Sequence, residues 1–317
     1  MKRLAATLAL VLASLGAAAQ DFPAKAITFV VPFAAGSATD TFARAVGQAI
    51  TAETKQAVVV ENKPGASGMI AAAFVAKAQA DGYTVLFTTN TTHAANEHLY
   101  KKLSYDPVKD FAPLSGLGKG GQVMVVRNDL PVKTVQEFIA HAKKNPGKVN
   151  FASGSSSSRI AGELLQQMAG IQLLHVPYKS NPLGITDMLG GTIDMMITDT
   201  TTGLPQVQAG KLRALAYSAD KRSRLAPDLP TISEAGVNGY EMSYWFAAYA
   251  PAGTPPAVVR RLNALLVAAT KSGPVTSFYD KTGVDPFTTT PEELAAFQAA
   301  ETKKWGDIIR KAGIQPE

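Results

Sequence analysis

The sequence predicts an α/β protein built as two units around a ligand cleft. Three observations carry this. Short apolar runs of strand length alternate with segments of helical spacing. That series runs once, breaks, and starts again. In each unit a buried-strand run ends in a loop of small polar residues that leads into a helix.

In the first unit, residues 26–31 (AITFVV) read as a buried strand and 33–40 as a small polar loop. Residues 40–52 carry Phe42, Val46 and Ile50 at helical spacing. A strand at 57–61 is closed by Asn62-Lys63-Pro64-Gly65. An alanine-rich helix at 69–78, a strand at 83–88 and the start of a helix at 93–99 follow. The series restarts with a strand at 122–127 and a helix at 135–144, ended by Asn145-Pro146-Gly147. Strands at 149–152, 173–176, 193–197 and 214–218 then alternate with helices at 160–169, 185–189 and 204–209. Beyond them, 240–250 is aromatic-rich and extended. Residues 256–271 and 291–312 are helical, each with proline near the start, where its missing N–H does no harm. Such alternation argues for a parallel sheet with crossover helices. The chain crosses twice between units, near 122–127 and 239–249. The first domain is therefore expected to be discontinuous, 20–122 plus 242–317, with 123–241 as the second, an architecture suited to hinged closure.

The N-terminus reads as a cleavable secretory signal over residues 1–19. Met1-Lys2-Arg3 is a positive start, residues 4–15 are apolar, and Ala17-Ala18-Ala19 is a small-residue cleavage site. A membrane-spanning helix needs about 20 apolar residues, more than this run has. Export to the periplasm is expected. The chain has no cysteine, which excludes disulfides, thiolate catalysis and thiolate metal sites. The 31 Lys and Arg against 25 Asp and Glu give +6, and +4 once Lys2 and Arg3 are removed. The balance mildly favours anionic ligands. The basic residues are scattered rather than striped, which argues against a nucleic-acid partner.

The most informative loop is Phe33-Ala34-Ala35-Gly36-Ser37-Ala38-Thr39-Asp40. Small residues allow a ligand close to the backbone, and the first N–H groups of a helix have no internal partner, so they suit a carboxylate. A capped helix with a tight turn is the alternative for the same residues. The second unit repeats the junction in Ser153-Gly154-Ser155-Ser156-Ser157-Ser158-Arg159. Its serines offer hydroxyl donors, and Arg159 could fork onto a carboxylate. Two such junctions facing each other would grip a ligand with two anionic ends, outside the carboxyl ends of the strands. Thr89, Tyr178 and the run Thr198-Asp199-Thr200 lie in further strand-end loops and are candidate pocket walls, with turn chemistry as the alternative.

Several motifs fail their context. Gly116-Leu117-Gly118-Lys119-Gly120-Gly121 has dinucleotide-loop spacing but precedes a strand instead of opening a helix. Ser155–Ser158 lacks the nucleophile elbow of α/β-hydrolases. His93 and His98 do not share a helix face as metal ligands. His141 is expected on a solvated helix face and His175 on a buried strand. No metal and no cofactor are expected.

Stretches in order along the chain include VPFAAGSATDTFAR (31–44), VVVENKPGASG (58–68), DGYTVLFTT (81–89), YDPVKDFAPL (105–114) and NPGKVNFASGSSSSRIAGEL (145–164). They continue with HVPYKSN (175–181), DMLGGTIDMM (187–196), GKLRALA (210–216), LPTISEAGV (229–237) and APAGTPPAVVRRLN (250–263). Together they resemble the substrate-binding proteins of tripartite tricarboxylate transporters, the Bug receptors. The resemblance implies a periplasmic-binding-protein-like fold, two α/β domains around a hinged ligand cleft. It implies no enzymatic activity, and a small organic carboxylate as ligand, held at the loops matching 33–40, 153–159 and 198–202. The implied partners are membrane transporter subunits. A receptor presenting its carboxylate to a signalling partner is the alternative, and a monomer is expected. Two departures from the family pattern stand out. Ser37 replaces a glycine, and Arg159 stands where histidine is frequent. An added cation suggests a second ligand carboxylate, hence a dicarboxylate, with aromatic acids of the phthalate type among the candidates.

Overall fold

A computed structural model describes residues 22–316; the expected signal peptide over 1–19 lies outside the described residues. The strands form one ten-stranded sheet. Its order is β2 (Val58–Asn62), β1 (Ile27–Val31), β3 (Thr84–Thr89), β9 (Ser243–Pro251), β4 (Phe111–Arg127), β7 (Met195–Asp199), β5 (Asn150–Ser153) and β6 (Leu174–Pro177). Strands β8 (Leu212–Tyr217) and β10 (Asp285–Pro286) also pair with β4.

The helices begin with α1 (Ala38–Thr54), α2 (Met69–Ala76) and a π-turn over Thr91–Ala95 that runs into α3 (Asn96–Leu99). In the second series come α4 (Val135–Lys144), α5 (Ser156–Ala169), α6 (Asn181–Leu189) and α7 (Thr200–Gln208). The chain ends in α8 (Pro256–Ala269), α9 (Gly273–Thr282) and α10 (Pro291–Lys311).

The expected parallel sheet is in fact mixed. Strand β1 is parallel to β2 and β3, and β5 is parallel to β6 and β7, as crossover helices require. Strands β9 and β4 instead run antiparallel to their neighbours. They arrive from the other series of the chain, so no crossover helix dictates their direction.

Strand β4 is the spine. From Phe111 to Gly121 it pairs with β9; from Gln122 onward it pairs with β7, and from Val123 with β8. Only its second part was expected to be strand, because glycine is depleted in strands. Here glycine makes the strand fit. A Cβ at Gly116 would stand 2.7 Å from Phe287, and one at Gly121 would stand 2.5 Å from Tyr217. The dinucleotide-like spacing of 116–121 therefore lies within a strand.

Ser218 clasps the two passages between halves. Its N–H donates to Gln122 O at 2.8 Å and its Oγ accepts from Gln122 N–H at 2.7 Å. The same Oγ donates to Met242 O at 2.6 Å, and Met242 N–H returns to Ser218 O at 2.8 Å.

Packing follows the periodicities. Phe42, Val46 and Ile50 of α1 are buried, and the Phe42 ring stacks on Phe278 of α9, a helix the sequence reading passed over, at 4.5 Å between centroids. Helix α10 opens with a capping box between Thr290 and Glu293. Its Glu301 Oε2 accepts from Trp245 Nε1 at 3.0 Å and Trp305 Nε1 at 3.3 Å. This helix packs on the π-turn of one half and on α5 of the other, and one apolar core runs from Val30 and Leu86 through Trp245 and Trp305 to Ile160 and Phe151.

Candidate functional site

The first wall is the turn between β1 and α1. Ser37 is the N-cap, extended at φ −68° and ψ 160°, and its Oγ accepts from Asp40 N–H at 3.3 Å. Gly36 sits at φ +80°, a conformation glycine adopts without strain. Asp40 braces this turn. Its Oδ2 accepts from Gly36 N–H at 3.0 Å and from Arg44 Nε at 3.1 Å, and its Oδ1 accepts from Asn62 Nδ2 at 3.0 Å. Burial alone would raise the Asp40 carboxyl pKa, but the hydrogen bonds from Arg44, Gly36 and Asn62 and the Arg44 charge bring it below the usual carboxylate value. Asn62 Nδ2 also donates to Phe33 O at 2.9 Å. The N–H groups of Ala38 and Thr39, in the first turn of α1, have no partner within the helix.

The second wall combines the starts of α5, α6 and α7. Ser155 caps α5, accepting from Ser158 N–H at 3.2 Å. Asp199 caps α7 with Oδ1, accepting from Thr202 N–H and Thr202 Oγ1, both at 2.8 Å. Asn181, at the start of α6, ties the two together. It accepts from Gly154 N–H at 2.9 Å and donates to Asp199 Oδ2 at 2.8 Å. Backbone packs tightly here: a Cβ at Gly154 would lie 2.0 Å from the Ser180 carbonyl carbon.

Both walls open on one cavity of about 40 Å³. Of the residues expected in the site, Phe33, Ser37, Ala38, Thr39, Thr89, Ser155, Ser157 and Asp199 line it. Ser153, Ser156 and Tyr178 line an adjoining outer cavity of about 320 Å³, which shares Phe33, Gly154 and Ser155 with the first. Tyr178 is turned toward α6, donating to Asp187 Oδ2 at 2.6 Å, and burial together with that carboxylate pushes its hydroxyl up to about 12.

The remaining expected residues act behind the walls. Ala34 accepts the turn hydrogen bond from Ser37 N–H, and Gly36 and Asp40 are part of the brace. Ser158 Oγ donates to Ile197 O, Thr198 Oγ1 to Asp199 Oδ2 at 3.4 Å, and Thr200 Oγ1 to Thr282 O. Arg159, expected to fork onto a ligand carboxylate, lines neither cavity. Successive helix residues rotate by about 100°, so Arg159 is about 200° around α5 from the cavity-lining Ser157. Its charge reaches Glu163, one turn along the same helix; burial raises the Glu163 carboxyl pKa and Arg159 opposes that.

Among the described residues that line the inner cavity, none is Lys, Arg or His. The anion-attracting groups are helix starts and neutral side chains. Among the described residues, no three His, Asp or Glu side chains come together in a way that could hold a metal ion.

Two hydrogen bonds tie the second wall to the π-turn and α3 of the first series. Asn90 Nδ2 donates to Ser157 Oγ at 2.8 Å, and Ser156 Oγ donates to Asn96 Oδ1 at 2.9 Å. Asn90 begins the π-turn, whose His93 is fully buried and stacks on Tyr249 at 3.9 Å between centroids. Burial drives the His93 imidazole down to about 3, so it is neutral.

Gln122, Tyr244 and Phe246 also line the inner cavity, and sequence reasoning missed them. They sit on the long strands instead of on loops. Tyr244 and Phe246 share a strand face by their spacing of two, and Gln122 is the amide at the head of the apolar run VMVV.

The sequence profile of the family described as "Tripartite tricarboxylate transporter family receptor" matches residues 42–314. Three solved structures are similar over nearly their whole length. An R. palustris protein solved with adipate is 34% identical, covers 94% of this chain and 100% of its own, and superposes with a TM-score of 0.91. The periplasmic binding protein BugD is 33% identical over 93% of this chain and 100% of its own, with a TM-score of 0.89. MatC from Rhodopseudomonas palustris, solved with bound malate, is 30% identical over 91% and 100%, with a TM-score of 0.86.

Proposed function

The chain belongs to the tripartite tricarboxylate transporter receptor family, and from that premise we propose that it is a periplasmic solute-binding receptor for a small dicarboxylate. It captures the acid between its two halves and delivers it to membrane transporter subunits, catalysing no reaction on it. The observation that carries the reading is the convergence of helix starts on one cation-free cavity. Helix α1 approaches from one side and α5 from the other. Each offers unpaired N–H groups and a positive helix end, so a carboxylate at each wall is stabilised without a buried cation to desolvate. The bound acids of two relatives, adipate and malate, each carry two carboxylates and support the same reading. The case for two carboxylates thus rests on opposed helix starts and not on Arg159. Export is supported by the signal-like residues 1–19, and among the described residues no helix is long and apolar enough to cross a membrane.

The test is a thermal-shift panel of aliphatic and aromatic mono- and dicarboxylates. A dicarboxylate is expected to give the largest shift and to be recovered intact after incubation. A best ligand with one carboxylate refutes the two-ended grip, and conversion of the ligand to a product refutes the receptor role.

A further inference from the structure

The loop between β6 and α6 sets one cation at the mouth of the site. Lys179 is exposed, and among the described residues that line the outer cavity no other carries a charge. Its ammonium makes no ion pair or hydrogen bond among the described residues. Both chain neighbours of Lys179 are fixed to the corner where the two cavities meet. Tyr178 N–H donates to Ser153 O at 2.7 Å. Ser180 packs on Gly154 so closely that a Cβ at Gly154 would lie 2.0 Å from the Ser180 carbonyl carbon. Gly154 in turn lines both cavities. Residues of the first half that line the outer cavity are neutral, and two of their hydroxyls, Ser67 Oγ and Tyr100 Oη, are bonded to each other at 2.8 Å. Asp187, the acceptor of the Tyr178 hydroxyl, lines neither cavity.

We infer that the outer cavity is an entry site for carboxylates, in which Lys179 captures the anion before it passes to the helix starts. The inference rests on the carboxylate reading above and deepens it. The inner cavity has no Lys, Arg or His to draw an anion in, and its one charged lining residue among those described is Asp199. Helix ends act at close range, because their field falls off within the first turn. A full charge acts over about 8 Å at physiological salt. The pull on an anion still in solvent therefore comes from the rim, where Lys179 stands. Lysine suits a capture role. Its four-carbon stem lets the ammonium follow the ligand, and its strong hydration keeps the hold weak enough to pass the anion on. The final seat remains free of any cation that would have to be desolvated.

The test separates capture from holding. The probe is whichever of succinate, glutarate and adipate binds the full mature chain best. Its association and dissociation rates are measured by stopped-flow fluorescence, and its affinity by calorimetry, for wild type and for Lys179→Gln, Lys179→Glu and Lys179→Arg. Lys303→Gln, on α10 and lining neither cavity, controls for net charge. At low salt the association rate is expected to fall about threefold to tenfold in Lys179→Gln and further in Lys179→Glu, and to stay near wild type in Lys179→Arg and Lys303→Gln. Dissociation rates stay within about twofold of wild type, so affinity falls in step with association. The differences vanish near 1 M salt, where the Debye length is about 3 Å. Each variant is checked for an unaltered melting transition; if Lys179→Gln fails to fold, Lys179→Glu against Lys179→Arg decides. An unchanged association rate, an equal loss in Lys303→Gln, or a faster dissociation with association intact overturns the inference while leaving the carboxylate receptor standing. No binding by any of the three acids to wild type overturns the carboxylate reading, and the inference with it.

Discussion

Asn90 and Ser157 are 67 residues apart in sequence and tie the π-turn to the second wall of the cleft, Nδ2 donating to Oγ at 2.8 Å. One residue opens the π-turn of the first half and the other lies in the first turn of α5. With the Ser156–Asn96 bond, this contact holds the second wall to the first half at the separation seen here.

Ser157→Ala is therefore expected to weaken ligand binding more than it weakens the fold. It removes one hydrogen bond between the halves worth about 1 kcal/mol and leaves the Asn90 amide unpaired. Affinity measured by calorimetry should fall about fivefold to tenfold. X-ray scattering should show a larger radius of gyration for the ligand-free variant than for the ligand-bound wild type.

Ser37→Ala removes both the cap of α1 and a hydroxyl that lines the cavity. Loss of the cap should cost about 1 kcal/mol of stability in denaturant titrations, with a drop in ligand affinity besides. Arg159→Ala is the control. Arg159 lines neither cavity, so affinity should stay within about twofold of wild type.

Gly154→Ala should be far more damaging than an ordinary surface change. The added Cβ would lie 2.0 Å from the Ser180 carbonyl carbon and 2.1 Å from Asn181 N, both backbone atoms that cannot swing aside. A destabilisation of about 3 kcal/mol or more is expected, read from the shift in denaturation midpoint.

His93 sets an acid limit. Its imidazole is held neutral in the folded chain down to about 3, whereas in the unfolded chain it protonates near 6.5. Between these values the unfolded chain binds a proton that the folded chain refuses. Stability therefore falls as pH drops from 6.5 toward 3, by up to about 1.4 kcal/mol per pH unit. His93→Gln should flatten this part of the stability–pH curve, measured by chemical denaturation at stepped pH.

Much of the site can be read from the sequence because helix starts announce themselves. Ser37 before an apolar helix and Ser155 in a serine run are capping patterns, and the structure puts both on the cavity. The strand-borne residues are harder to see. Gln122, Tyr244 and Phe246 look like ordinary members of extended runs, and only the register of β4 against β9 and β7 turns them toward one space. Arg159 shows the converse limit. Its chemistry suits a carboxylate, but two residues of helix rotation carry it away from the cavity edge set by Ser157. The mixed sheet was likewise hidden, because direction in β4 and β9 depends on which distant strand each meets. In 116–121 the glycines argue against a strand, and the bulk of Phe287 and Tyr217 that they accommodate is remote in sequence.

The central claim is that helix starts in two opposed walls hold the two charged ends of a diacid. Calorimetric titration of the mature chain with its best dicarboxylate, and with the dimethyl ester of the same acid, tests it most directly. The diacid should bind with a stoichiometry of one, and the ester, which has the same carbon skeleton and no charge, should bind at least about a hundredfold more weakly. Equal binding of acid and ester would contradict it.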